Sequence, residues 1–138
     1  MSVTIETTED IPACLDLRRA VFMGEQGVSE AEEIDGLDGS CLHLLARDEG
    51  VAVGTARILF KDEVAKIGRV CVLRRHRGQG LGAALIREAL ALSAGRARTA
   101  RLGAQVHAIG FYEALGFTAT GPVYDDAGIP HRDMVRPL

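Results

Sequence analysis

Arg75-His76-Arg77-Gly78-Gln79-Gly80-Leu81-Gly82 is the stretch on which the reading of this chain turns. Before it, Ile67 to Leu73 is a largely apolar run that reads as a strand. After it, Leu81, Leu85, Ala89 and Leu92 recur at helical spacing within Leu81 to Ala94. Strand, glycine-rich turn and helix together aim backbone N–H groups at a phosphate, and the positive end of the helix adds attraction. Glycines at alternate positions, Gly78, Gly80 and Gly82, let the main chain approach a pyrophosphate with no Cβ in the way. Arg74, Arg75, His76 and Arg77 place positive charge beside the same spot. The loop therefore reads as a diphosphate cradle; the plainer alternative is a helix start that needed glycines only to turn.

Elimination narrows the diphosphate. A Walker loop ends in Gly-Lys-Ser or Gly-Lys-Thr, and Gly80-Leu81-Gly82 does not. A dinucleotide fingerprint wants a glycine or alanine at position 83, which Ala83 satisfies, and then an acidic residue about twenty residues on. That region, Ala94 to Arg101, contains no acid.

Outward from the loop, the pattern alternates between strands and helices without repeats or linkers. Val3 to Glu6 alternates as a short strand, and Thr8 or Asp10 can cap a helix over Ile11 to Phe22, with Pro12 acceptable only in its first turn. Glu25 to Gly39 is polar, glycine-punctuated and reads as loop with a helical turn. Cys41 to Arg47, Val51 to Phe60 and Val64 to Leu73 form a meander whose first turn is Asp48-Glu49-Gly50. Beyond the long helix come a strand near Leu102 to His107, a short helix over Ile109 to Leu115, and strands around Phe117 to Tyr124 and Asp133 to Arg136. Antiparallel strands followed by a strand–helix–strand crossover predict one domain over residues 1–138, with a mixed, mostly antiparallel sheet flanked by helices.

Composition narrows the class. The chain has 138 residues, 47% hydrophobic and 25% charged, ordinary for one soluble domain burying roughly two-thirds of its unfolded surface. No apolar run approaches a membrane span, and the acidic N-terminus does not read as a signal peptide. Cys14, Cys41 and Cys71 are odd in number, far apart and without metal spacing, which suits thiols of a reducing cytoplasm. A net charge of −3 argues against a nucleic-acid footprint, whereas the local basic cluster suits a small anion.

The spacing Arg75-x-x-Gly78-x-Gly80 resembles the coenzyme A signature of the GNAT superfamily of N-acetyltransferases, and Val70-Cys71-Val72-Leu73 resembles the strand that leads into it. Ala108-Ile109-Gly110-Phe111-Tyr112-Glu113-Ala114-Leu115-Gly116-Phe117 resembles the family's second hallmark, a short helix with an early tyrosine and a terminal Gly-Phe. Val21 to Gln26, Glu33 to Asp38, His43-Leu44 and Gly128-Ile129-Pro130-His131 are similar to the small ElaA-like and YjcF-like branch. The likeness covers nearly the whole chain in order. One departure is Gln105, where many relatives carry asparagine.

The resemblance implies the GNAT fold and transfer of an acetyl group from acetyl-CoA to a primary amine, expected to be that of a small molecule, by direct attack in a ternary complex. It places the cofactor on the backbone of Cys71, Val72 and Leu73 and on Arg77, Gly78, Gln79, Gly80, Leu81 and Gly82. Because that contact uses the main chain, Cys71 reads as packing and not as a nucleophile. Tyr112 is the candidate general acid: a phenol's reference pKa near 10 lies a little above a thiol's, so it can protonate a departing thiolate. Phe111 beside it is expected to pack inward.

Glu25, Glu33, Asp35, His43, His107 and His131 are all candidates for the general base. Glu25 ranks first, because it follows the first helix where the family binds its acceptor; His107, near a strand end beside the cleft, ranks second. From Ala20 to Ala46 there is no lysine or arginine, yet six acids fall there. Acids around a cleft attract a cationic amine, so Glu33 and His107 are read as acceptor-binding; the alternative is a solvated loop. No metal, nucleic acid or membrane partner is expected, and a homodimer is left open. The rival functions are a coenzyme A-binding module without catalysis and a binder of some other diphosphate.

Overall fold

A computed structural model describes residues 2–138. Its elements are β1 (Val3–Thr8), α1 (Ile11–Arg18), α2 (Glu30–Glu33), β2 (Leu42–Asp48), β3 (Val51–Lys61), β4 (Val64–Val72), α3 (Leu81–Ser93), β5 (Thr99–Gln105), α4 (Ile109–Glu113), β6 (Thr118–Asp126) and β7 (Ile129–Pro137). The strands form one seven-stranded sheet in the order β1-β2-β3-β4-β5-β7-β6. Only β4 and β5 pair in parallel. The expected mixed, mostly antiparallel sheet is what forms.

Local chemistry explains the joints. Asp10 caps α1 by accepting the Ala13 N–H at 3.2 Å, and Pro12 sits in the first turn, where no helical donor is lost. α1 then widens into a π-helical stretch, Arg19–Glu25, with the Gln26 N–H reaching the Val21 carbonyl at 3.1 Å. Such widening is frequent at functional sites, and here it ends at the rim of the cleft. Glu49 and Gly50 turn β2 into β3 with φ of 51° and 81°, both in the region that hairpin turns demand.

The sheet is sealed differently on its two faces. α3 lays Leu81, Leu85, Ile86, Ala89 and Leu90 over Leu44, Ala56, Ile58, Ala65, Ile67, Leu102 and Met134. α1 covers a smaller patch on the other side, where Cys14, Leu17 and Val21 meet Leu45 and Cys71.

Two strands begin earlier than the sequence suggests. β5 starts at Thr99, since Ala100, Leu102 and Ala104 are buried in strict alternation with more exposed neighbours. β7 starts at Ile129 because its pairing with β6 runs down to a tight turn at Ala127 and Gly128.

Candidate active site

β4 and β5 hold parallel register only from Val64–Lys66 to Thr99–Arg101 and then part. A bulge drives β4 aside: its register against β3 shifts between Thr55 and Arg57, and Arg69 takes a φ of 52°. The gap opens into a cleft of about 970 Å³ whose lining includes Val70, Val72, Gly80, Gln105, Tyr112 and His131.

The glycine loop closes one end of the cleft. Gly78 and Gly80 adopt φ of 77° and 80°, and a Cβ on either would meet nothing within 4 Å. These residues keep the backbone bare toward open space, as a bound diphosphate requires. The first helical bond at this end is from the Ala84 N–H to the Gly80 carbonyl, at 3.0 Å. No side chain caps α3, so the N–H groups of Leu81, Gly82 and Ala83 have no acceptor among the described residues. Three free donors at a helix N-terminus form an anion site.

The strand phase corrects part of the expected backbone contact. Leu73 donates its N–H to the Val53 carbonyl at 2.9 Å, inward into the sheet. In an antiparallel ladder alternate residues face the same way, so Cys71, opposite Thr55, is also turned toward β3. Val72 faces the cleft instead, and its carbonyl accepts the Arg77 Nε–H at 2.9 Å. The cleft-facing main chain is thus Val70 and Val72, not Cys71 and Leu73. Burial pushes the Cys71 thiol up to about 12, which leaves it unreactive.

Glu25, the first-ranked base, does not line the cleft. Its carboxylate grips Arg77, with Nη1 at 2.9 Å and Nη2 at 3.0 Å, and has Arg74 at 3.8 Å. Glu25 is an anchor for the basic loop, and the Arg77 guanidinium is spoken for by Glu25 and Val72, whereas the loop's backbone N–H groups at the start of α3 stay free.

Glu33 is likewise corrected. It is 2% exposed, and the Arg18 guanidinium clasps both its oxygens, at 2.6 and 3.1 Å. Arg69 Nε lies 3.2 Å from the same carboxylate. Arg18 and Arg57 also bind Asp38, at 2.8 and 2.9 Å, and Arg57 binds Asp35. Arg57 holds the Asp35 carboxyl well below the usual carboxylate range. Burial alone would raise Asp38, but its bonds to Arg18 and Arg57 override this and lower it. Glu33, Asp35 and Asp38 thus form a clamp whose charge is already paired with arginine.

Tyr112 lines the cleft, with Phe111 and Phe117 in edge contact at 5.0 and 6.0 Å between ring centroids. Its hydroxyl has no hydrogen-bond partner among the described residues, and burial pushes it up to about 12. Tyr112 keeps its expected place in the cleft wall, but Phe111 does not pack inward: it is 41% exposed, with its ring edge over Gly82, and Tyr112 is the more buried of the two. His107 and Gln105 sit at the other lip. Gln105 Oε1 lies 2.7 Å from His107 Nε2, and Gln105 Nε2 donates to Gln26 at 2.9 Å, so an amide chain ties the end of β5 to the segment after α1.

A further polar group was not singled out from sequence. Tyr124 donates to Asp133 Oδ1 at 2.7 Å, and Arg101 binds Asp133 Oδ2 at 2.7 Å. A Cβ at Gly103 would lie 2.5 Å from the Tyr124 hydroxyl, so a larger residue there would displace that ring tip from Asp133. A lone glycine in an alternating strand was the available signal, because such a glycine marks close approach.

Residues 9–138 match the family model described as an acetyltransferase (GNAT) domain. YjcF of Bacillus subtilis (strain 168), described as an uncharacterized N-acetyltransferase, is 36% identical over 98% of this chain and 98% of its own. ElaA of Escherichia coli (strain K12) is 38% identical over 90% of this chain and 85% of its own. The crystal structure of Escherichia coli ElaA superposes with a TM-score of 0.86 at 32% identity, covering 98% of this chain and 99% of that one. An acyl-CoA N-acyltransferase from Pseudomonas aeruginosa superposes at 0.85 and 34%, covering 98% of both. A GNAT acetyltransferase from Elizabethkingia anophelis, solved with acetyl-CoA bound, shares the fold at a TM-score of 0.75 and 20% identity, covering 99% of this chain and 98% of that one. With this cleft, this cradle and these relatives, the chain belongs to the GNAT acetyltransferase family and is an acyltransferase.

Proposed function

We propose that this protein transfers the acetyl group of acetyl-CoA to a primary amine of a small molecule, by direct attack within a ternary complex. The carrying observation is a cleft with free helix N-terminal donors at one end and an unbonded Tyr112 hydroxyl on its wall. The diphosphate would rest on Gly78 to Ala83, and the pantetheine arm would run along Val70 and Val72. The Elizabethkingia neighbour with acetyl-CoA supports this cofactor through its shared fold.

The amine nitrogen bonds to the acetyl carbon, and the carbonyl oxygen takes up negative charge. A backbone N–H at Val72 is placed to hold it; losing one such donor typically costs about 3 kcal/mol of barrier. The C–S bond then breaks, the thiolate leaves with the bonding pair and takes the Tyr112 proton, and the phenolate is restored by the N–H proton that the acylated nitrogen sheds. A phenol near 12 is a poor acid toward a thiolate in water, but burial raises thiols as well, as Cys71 beside the cleft illustrates. Excluding water from the cleft thus raises the departing thiolate's affinity for that proton as well. Direct attack is favoured over an acetyl-enzyme because Cys71 is the one cysteine lining the described cleft, and its thiol is held protonated. The cleft volume suits a small acceptor.

The test is thiol release from acetyl-CoA with phenethylamine, spermidine, lysine and an amino sugar. Tyr112→Phe should lower turnover about 100-fold, the scale of losing a general acid. Acetyl-CoA affinity and melting should hold, because the hydroxyl bonds no described residue. Acetyl-CoA binding without amine-dependent release would make the protein a binding module, and normal turnover by Tyr112→Phe would remove the tyrosine from the mechanism.

A further inference from the structure

We propose that His131 is the general base, its Nε2 taking the proton from the acceptor's ammonium; this rests on the transfer reaction above. A carbonyl oxygen can only accept, so the contact of His131 Nδ1 with the Ile129 carbonyl at 2.7 Å assigns the ring proton to Nδ1. In the neutral ring the lone pair is then on Nε2, which has no partner among the described residues. His131 is half-buried in the cleft wall and stacks on Tyr124 with ring centroids 5.9 Å apart at 23°. Tyr124 is itself fixed, because its hydroxyl donates to Asp133 across the space that Gly103 leaves open. In register, His131 lies between Tyr124 of β6 and Gln105 of β5, where β5 has parted from β4.

The other candidates in the cleft are committed elsewhere. Glu33 and Asp35 are held by Arg18, Arg57 and Arg69. Asp133 gives one oxygen to Tyr124 and the other to Arg101. His76 pairs with Asp48 at 3.3 Å, and His43 is buried with Nε2 on the Asp38 carbonyl at 2.9 Å. Glu32 caps α2 through Ser29. Asp126 and His107 are exposed at the rim, where a base works in bulk water. Around His131 the ionisable groups of the cleft are Tyr124 and Asp126 on β6, Asp133 on its own strand, Arg101 on β5 and His107 in the turn after it.

The step balances without a co-reactant. The ammonium N–H bond breaks, the proton passes to Nε2, the freed pair attacks the acetyl carbon, and the imidazolium later returns its proton to solvent. The test compares the fastest alkylamine of the panel with an analogue carrying two or three β-fluorines, whose nitrogen is largely neutral by pH 8. His131→Asn keeps a donor for the Ile129 carbonyl but offers no base, and His131→Gln serves as a second variant. Both should lose about 100-fold in kcat/KM with the alkylamine at pH 7. The fluorinated amine should lose far less. The ratio of the two rates does not depend on how much variant is folded. Equal losses on both amines, or unchanged rates, overturn the assignment of His131 alone. Failure of the unaltered protein to turn over any amine overturns the function proposed above, and this inference with it.

Discussion

Two stretches of like charge sit on this chain, and the fold uses them in opposite ways. The acids from Glu30 to Asp38 fall in a region without a single lysine or arginine, yet Glu33 is buried and Asp35 and Asp38 are mostly covered. Their partners Arg18, Arg57 and Arg69 arrive from α1, β3 and β4. The basic run Arg74 to Arg77 stays at the surface, with Arg74 79% exposed, and has Glu25 as counter-charge for Arg74 and Arg77. The acidic stretch therefore braces the wall of the cleft, while the basic stretch stays where a solvated anion can reach it. Charge patterning in a sequence reports the sign of a segment but not whether the segment is already neutralised.

The sharpest way to break this contrast is Glu33→Ala. It leaves the Arg18 guanidinium, 1% exposed, with only Asp38 as counter-charge. Removing one partner of a buried pair typically costs about 3–5 kcal/mol. Denaturant unfolding should show that loss, whereas Arg75→Ala, at an exposed loop position, should fall within about 0.5 kcal/mol of the parent. A small effect of Glu33→Ala would return the acidic segment to the role of a solvated, amine-attracting loop.

What the sequence disclosed follows the same division. The strand, loop and α3 were legible because their signals are local: apolar periodicity, glycine spacing and a helix start within about fifteen residues. The cradle also works through backbone, so glycine placement carries nearly all of its information. The clamp was not legible, because its bonds join residues 15, 22 and 36 positions apart and nothing in Glu33 itself names Arg18 or Arg69. The phase of β4 was hidden for a related reason. Whether Cys71 or Val72 faces the cleft depends on the register with β3, and the bulge at Arg69 sets that register. Tyr112 was found from the motif, but the outward place of Phe111 needed the packing of Phe117 and the bare surface of Gly82.

The loop side of the comparison is tested by Gly80→Val. The φ of 80° is poor for a β-branched residue, so the protein should lose about 1–3 kcal/mol yet still fold. The larger change should be in acetyl-CoA affinity, because the side chain enters the open space over the free N–H groups of α3. Losing two charge-assisted bonds at about 1.5 kcal/mol each gives roughly a 100-fold weaker Kd by calorimetry. Retained affinity would mean that the diphosphate rests elsewhere and that the basic run merely turns the chain.

Glu25→Gln probes the carboxylate that pairs with the basic run and should have the smallest effect. Glu25 and Arg77 are 24% and 41% exposed, so the pair is screened by solvent and its loss should cost about 0.2–1 kcal/mol. Arg77 would keep its bond to the Val72 carbonyl, so the loop should stay in place. Its guanidinium would lose its counter-charge, and acetyl-CoA should bind a few-fold tighter at low salt. That gain should fade by about 0.1 M salt, where exposed charges are screened over about 10 Å. Turnover should be nearly unchanged, because the carboxylate lies outside the cleft lining. A 100-fold loss of turnover with acetyl-CoA affinity intact would restore Glu25 as the base and displace His131. A tighter cofactor with unaltered turnover would place Glu25 with the loop it restrains, as a brake on the positive charge that the cradle presents.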